Sequence, residues 1–194
     1  MRRLYLMALM SVLGLGLGLV LSWSSGESGD DGNGSNDDDA LGDDDNAAGD
    51  TWTDSLSGLT WQVTPPSDHI TWDTAKTYCD YLTLAGGGWH LPTIAEIRTL
   101  IRGCDGTVTG GSCGVTDSCL NDYCKNDTCW ACISGEGPNN GCYGPTELPN
   151  ECDPFWSSSP VADVGRAWRV EFDLGRIASD YGGSYGNNLA RCVR

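Results

Sequence analysis

Ten cysteines and two histidines carry most of the chemistry available to this 194-residue chain. Eight of the cysteines crowd into one stretch: Cys104, Cys113, Cys119, Cys124, Cys129, Cys132, Cys142 and Cys152. Zinc would suit the Cys129-x-x-Cys132 spacing, with Cys119 and Cys124 close by, but a zinc ribbon wants two such pairs and the chain has one. A redox pair should open a helix after a strand, whereas this one lies among Gly, Asn, Asp, Ser and Thr without periodicity. An irregular loop of that length needs staples, and an unstrained disulfide supplies about 2–4 kcal/mol by restricting the unfolded chain. Structural disulfides are therefore expected, with the pairing of the eight left open among on the order of a hundred connectivities. Cys79 and Cys192 stand outside the block. If the helix carrying one packs across the strand carrying the other, they pair and close a loop of more than 100 residues. His69, in a Pro/Asp loop, and His90, between Trp89 and Leu91, cannot form a His-cluster site, and each is read as structural or solvated. Nothing supplies a nucleophile with its base, so no catalytic residue is assigned, no metal ligand is assigned, and the chain is read as a non-enzyme.

The compartment follows from the ends and the charge. Met1 to Arg3 carry two positive charges, and Leu4 to Trp23 is an almost unbroken apolar run followed by small residues. Residues 1–25 thus read as an export signal or, at a length of about 20 apolar residues, a retained N-terminal anchor. A lipoprotein would need a cysteine soon after the run, and none precedes Cys79. Each reading puts the remainder outside the cytoplasm, where ten cysteines are unremarkable. Residues 26–54 hold 11 acidic and no basic residues and almost no apolar ones, so they read as an extended, solvated, disordered tether. Their Asp runs lack the fixed spacing and turn glycine of a calcium loop. Residues 55–194 keep 16 of the 27 acids and 9 of the 11 bases, a balance of −7 against −16 for the whole chain. That charge excludes a nucleic-acid partner, which needs a basic face.

The elements that must position any site are few. Leu59, Trp61 and Val63 alternate with polar residues as a short strand, broken by Pro65-Pro66. In TWDTAKTYCDYL, Trp72, Ala75, Cys79 and Leu82 share a helical face; Thr71 caps its start and Gly86-Gly87-Gly88 ends the segment. Thr93 with Glu96 forms a capping box for a second helix over about 94–102, burying Ile94, Ile97, Leu100 and Ile101. Helices this short need a sheet to pack on. The sheet must come mainly from the last 40 or so residues: FWSSS at 155–159; Trp168, Val170 and Phe172 alternating with Arg169, Glu171 and Asp173; a Leu174-Gly175 turn; a return strand from Ile177; and NLARCVR. SDYGGSYGNN is a loop by composition. The order predicts an α+β domain with a small antiparallel sheet, two short helices and a disulfide-rich insertion at 103–153.

SGLTWQ, TWDTAKTYCDYL, GGGWHLPTIAEIRTLI, FWSSSP, AWRVEFDLGRI and ARCVR, in this order over 55–194, resemble the Lcl C-terminal domain family, named for a collagen-like bacterial surface adhesin. The resemblance implies a C-type lectin-like fold, similar also to the sulfatase-modifying enzymes, and with it a Cys79–Cys192 link between the first helix and the last strand. It implies a secreted or cell-surface recognition module for a glycan or protein, with adhesion as one use. On such a scaffold ligands sit on stapled loops. The candidate surface here is loop 176–188, with Arg176, Asp180, Tyr181, Tyr185, Asn187 and Asn188. Aromatic faces stack on sugar rings, and Asn, Asp and Arg bond hydroxyls. An ordinary polar hairpin loop is the plainer reading, and a passive, disulfide-stapled coat protein is the alternative for the whole chain. The sulfated polysaccharides implied by the family's eponym do not suit a domain of charge −7, and no collagen-like tract is present. Calcium-dependent sugar binding is disfavoured too. Glu136-Gly137-Pro138-Asn139 and Leu148-Pro149-Asn150-Glu151 only approximate the lectin triplets, and no Trp-Asn-Asp occurs. No cofactor is expected.

Overall fold

The computed structural model describes residues 47–130, 132–149, 152–162, 165–183 and 188–194. The N-terminal apolar run and residues 26–46 of the acidic spacer lie outside the described residues. The helices are α1 (Ala47–Asp50), α2 (Trp72–Asp80) and α3 (Ile94–Arg98), and the strands are β1 (Thr51–Thr53), β2 (Thr60–Gln62), β3 (Pro154–Val161), β4 (Arg166–Glu171) and β5 (Arg176–Tyr181). Residues 47–53, expected in the tether, form α1 and β1 instead. Trp52 of β1 pairs with Trp61 of β2, giving the segment an apolar anchor.

Both helices start where their caps dictate. The Thr71 hydroxyl accepts the Thr74 N–H at the head of α2. At α3, Thr93 Oγ1 accepts the Glu96 N–H at 3.2 Å while Glu96 Oε2 accepts the Thr93 N–H at 2.8 Å, satisfying two N-terminal donors reciprocally. Both end earlier than their composition suggested. α2 stops at Asp80, well before Gly86-Gly87-Gly88, and Leu84–Gly86 forms a separate 3₁₀ turn. There the Leu84 carbonyl accepts the Trp89 indole N–H at 2.7 Å as well as the Gly87 amide, so it serves a tight turn rather than a continuing helix. α3 gives way after Arg98 to i→i−3 turns, with Leu100 N–H on Ile97 O and Ile101 N–H on Arg98 O. The tighter winding still buries Ile94, Ile97, Leu100 and Ile101.

The main sheet has the order β3-β4-β5 and is antiparallel throughout, with a register shift between Trp156 and Pro160. Cross-strand partners share a face. One face carries Phe155, Val161, Trp168, Val170 and Ile177 and packs on α3 and the cysteine block. The other carries Trp156, Ala167, Arg169, Glu171, Arg176, Ala178 and Asp180; its apolar part packs on Ala75 and Cys79 of α2. The expected last strand is a seam of isolated bridges instead: Asn188 to Ile70, Leu189 to Phe155, and Val193 to both Trp61 and His90. His90 is therefore bound into backbone pairing, and its ring lies 3.1 Å from Glu96.

All ten cysteines are paired: 79–192, 104–132, 113–129, 119–124 and 142–152. Cys129 and Cys132 go to different partners, which removes both the zinc and the redox reading of their spacing. Five disulfides in so small a domain point to an oxidising, extracytoplasmic environment. Among the described residues, no helix is long and apolar enough to cross a membrane.

Two arginines finish what the staples begin. Arg98 is 3% exposed and donates to four carbonyls of the insertion: Thr107 and Val108 at 2.9 Å, Val115 at 2.5 Å and Cys113 at 3.4 Å. Arg191, equally buried, donates to Gln62, Val63 and Pro149 carbonyls at 2.6 Å and lies 5.1 Å over the Phe155 ring. Carbonyls that a sheet ladder would have paired are satisfied by guanidinium forks.

Candidate functional site

The four-residue turn between β4 and β5 closes at Gly175, whose φ of 56° suits glycine, and the hairpin register puts charged residues opposite one another. Glu171 faces Arg176, and Arg169 lies between Trp156 and Ala178. Arg169 becomes a hub. Its Nη2 is 2.6 Å from Glu171 Oε1; its Nη1 donates to Asn188 Oδ1 at 2.6 Å and lies 3.3 Å from Asp180 Oδ2. Glu171 pairs on its other oxygen with Arg176, whose guanidinium stands 4.6 Å over Trp130. Asn188 is positioned by its backbone carbonyl, which accepts the Ile70 N–H, and is wholly buried.

Three of the six residues expected from sequence, Arg176, Asp180 and Asn188, are thus brought together by Arg169 and Glu171, which enter the sequence reading only as the polar positions of the strand alternation. The signal was present: alternation in RAWRVEF together with the recognised turn places those two opposite the return strand's own charges. Arg176 and Asp180 lie in β5 and not in a loop. Tyr181 pairs with Arg166 and leaves from the opposite face of the sheet, 66% exposed. Tyr185 and Asn187 lie outside the described residues.

At the end of the same hairpin is a cleft of about 310 Å³ lined by Trp72, Asp73, Pro160, Val161, Gly165, Arg166, Gly182 and Gly183. Trp72 donates its indole N–H to the Ser157 carbonyl at 2.7 Å, and Gly182 packs so closely on it that a Cβ there would lie 3.3 Å from the ring. Lys76 stands 3.7 Å over Trp72 and 2.8 Å from Asp73; Arg166 is paired with Asp122 and bonds Ser179 Oγ at 2.9 Å.

The charge network is nearly balanced, two guanidinium groups against two carboxylates. Burial, and then the neighbouring Glu171, push the Asp173 carboxyl above its ordinary range. Burial and the neighbouring Arg176 push the Lys125 ammonium down. Among the described residues, Trp61 Nε1, Arg169 Nε and Asn188 Nδ2 are buried donors with no hydrogen-bond partner, and Arg176 Nε has its ion pair with Glu171 in place of one. No group of three or more His, Cys, Asp or Glu among the described residues is placed to hold a metal ion.

No curated protein and no solved structure matches the chain. A family model, the Lcl C-terminal domain, matches residues 50–194, from the single turn ahead of β1 to the last residue of the seam. That match covers well over half of the chain, so the chain belongs to the Lcl C-terminal domain family.

Proposed function

We propose that this protein is a secreted or surface-displayed recognition module with a C-type lectin-like arrangement, without catalysis and without a cofactor, carried on its acidic tether. Its ligand, a glycan or a protein, is met at the open end of the β4–β5 hairpin, beside Trp72 and Gly182–Gly183. The observation that carries the reading is the cleft of about 310 Å³ there, whose wall sets the Trp72 ring beside the charged side chains of Asp73 and Arg166. An aromatic face stacks on a sugar ring or an apolar side chain, and the charged groups bond hydroxyls or amides. The rigid frame supports the reading too: a sheet packed on both faces and stapled to α2 holds that cleft with little freedom to lose on binding.

The test is binding of the full oxidised chain, beside an Arg166→Ala variant, to a glycan array and to cell-surface extracts, with and without chelator. Retention that falls about tenfold or more in the variant, with chelator making no difference, is the expected result. Absence of binding to every glycan and extract would leave a passive coat protein as the reading.

A further inference from the structure

We infer that the Cys142–Cys152 disulfide is a thiol-exchange site, at which Cys152 takes up a small external thiol of no net negative charge as a reversible mixed disulfide. All ten half-cystines lie among the described residues, and they differ in access. The 79–192 and 113–129 bonds join buried residues, and 104–132 and 119–124 each join a buried residue to a half-buried one. Only 142–152 has an exposed member, Cys152, whose partner Cys142 is 8% exposed. Both residues line an open cleft of about 340 Å³, with Asn139, Thr146 and Leu148 among its walls. Exchange begins when a thiolate reaches a disulfide sulfur, so access decides which bond is attacked and at which of its two sulfurs.

The external thiolate attacks Cys152 Sγ. A new S–S bond forms there, the bond to Cys142 breaks, and its electron pair leaves on Cys142 Sγ as a thiolate. That thiolate can attack Cys152 Sγ in turn, expelling the external thiolate and restoring the original bond, so Cys142 is the resolving thiol of the site. The bond can open without unfolding the domain. It spans a sequence separation of 10, so its loss frees little chain. The segment it closes has anchors of its own. The Tyr143 amide donates to the Phe172 carbonyl at 2.8 Å and its hydroxyl to the Ile133 carbonyl at 2.7 Å, Leu148 is buried, and the Pro149 carbonyl accepts from Arg191 at 2.6 Å. The charge of the incoming thiol follows from the sequence: Glu151 and Asp153 flank Cys152, in a domain whose balance is −7. Such a setting repels an anionic thiol, and salt screens the repulsion.

The experiment treats the full oxidised chain with rising cysteamine, whose thiolate form has no net charge, and in parallel with glutathione at the same thiolate concentration. Acid quenching, alkylation and peptide mapping by mass spectrometry then locate each adduct. The first product should carry cysteamine on Cys152 and an alkylated Cys142. More thiol should give a species alkylated at both, with the other eight half-cystines closed until the thiol is about tenfold more concentrated. That species should keep a cooperative melting transition. Glutathione should react about threefold or more slowly at low salt, with the gap narrowing as salt rises. First opening at 119–124 or 104–132, all ten thiols appearing together, an adduct on Cys142, or loss of the melting transition in the doubly alkylated species overturns the inference. Glutathione that matches cysteamine at low salt does the same.

Discussion

Among the described residues no carboxylate pairs with Arg98, and burial pushes its pKa downward. A guanidinium keeps its charge in proteins, so the cost of burial has to be offset locally, and four backbone carbonyls do this. A lysine has one ammonium and no planar fork. Arg98→Lys is accordingly expected to lose about 2–4 kcal/mol in chemical denaturation of the oxidised protein. Asp173 makes a prediction of the opposite sign. Its folded pKa is raised, so the ionised carboxylate opposes folding at neutral pH, and that penalty disappears as pH falls through the folded pKa toward the ordinary value of 3.8. Asp173→Asn should therefore raise the melting temperature at pH 7, and the gain should vanish by about pH 3. A gain that is equal at both pH values would remove the electrostatic explanation.

Among the elements, the helix N-caps and strand alternation were legible in the sequence because they are local: Thr71, Thr93 and Glu96 do in the structure what their types and spacing demand. Replacing Thr93 by Ala should cost about 1 kcal/mol, measurable as a shift in denaturation midpoint. The ends of α2 and α3 were not legible, since they depend on distant partners, the Trp89 indole at Leu84 and the insertion carbonyls at Arg98. The terminal segment reads as a strand because its side chains alternate, yet it bridges to four different neighbours, Ile70, Phe155, Trp61 and His90, and forms a ladder with none. For the candidate site, residue types were readable but facing was not. Tyr181 and Asp180 are adjacent in sequence and leave opposite faces of one strand. Gly175 is where hairpin and insertion meet: a Cβ there would come within 2.8 Å of Tyr143 and 3.0 Å of Cys104 Cβ, besides requiring positive φ. Gly175→Ala should destabilise by about 2 kcal/mol or more and loosen the β4–β5 register, visible as faster amide exchange in β5.

For the molecule as a whole, the staples add to a packed interior. Full reduction of the five disulfides should add about ten hydrogens to the intact mass and lower the melting temperature sharply. Replacing Cys79 and Cys192 together by Ala should alone cost about 4–5 kcal/mol in the chain-entropy view, since that bond closes a separation of 113 residues. Three of the remaining bonds form a nest, 119–124 within 113–129 within 104–132; 142–152 stands beside it, and 79–192 encloses all four. A nest of this kind conflicts with the direction of synthesis. A chain threading out of a translocon amino end first would marry its thiols in order of arrival, Cys79 to Cys104 and Cys113 to Cys119, both mistaken unions. Correct maturation then depends on a catalyst that divorces and remarries sulfurs, and a host lacking such an isomerase should yield soluble but scrambled protein, separable on a non-reducing gel from the native form.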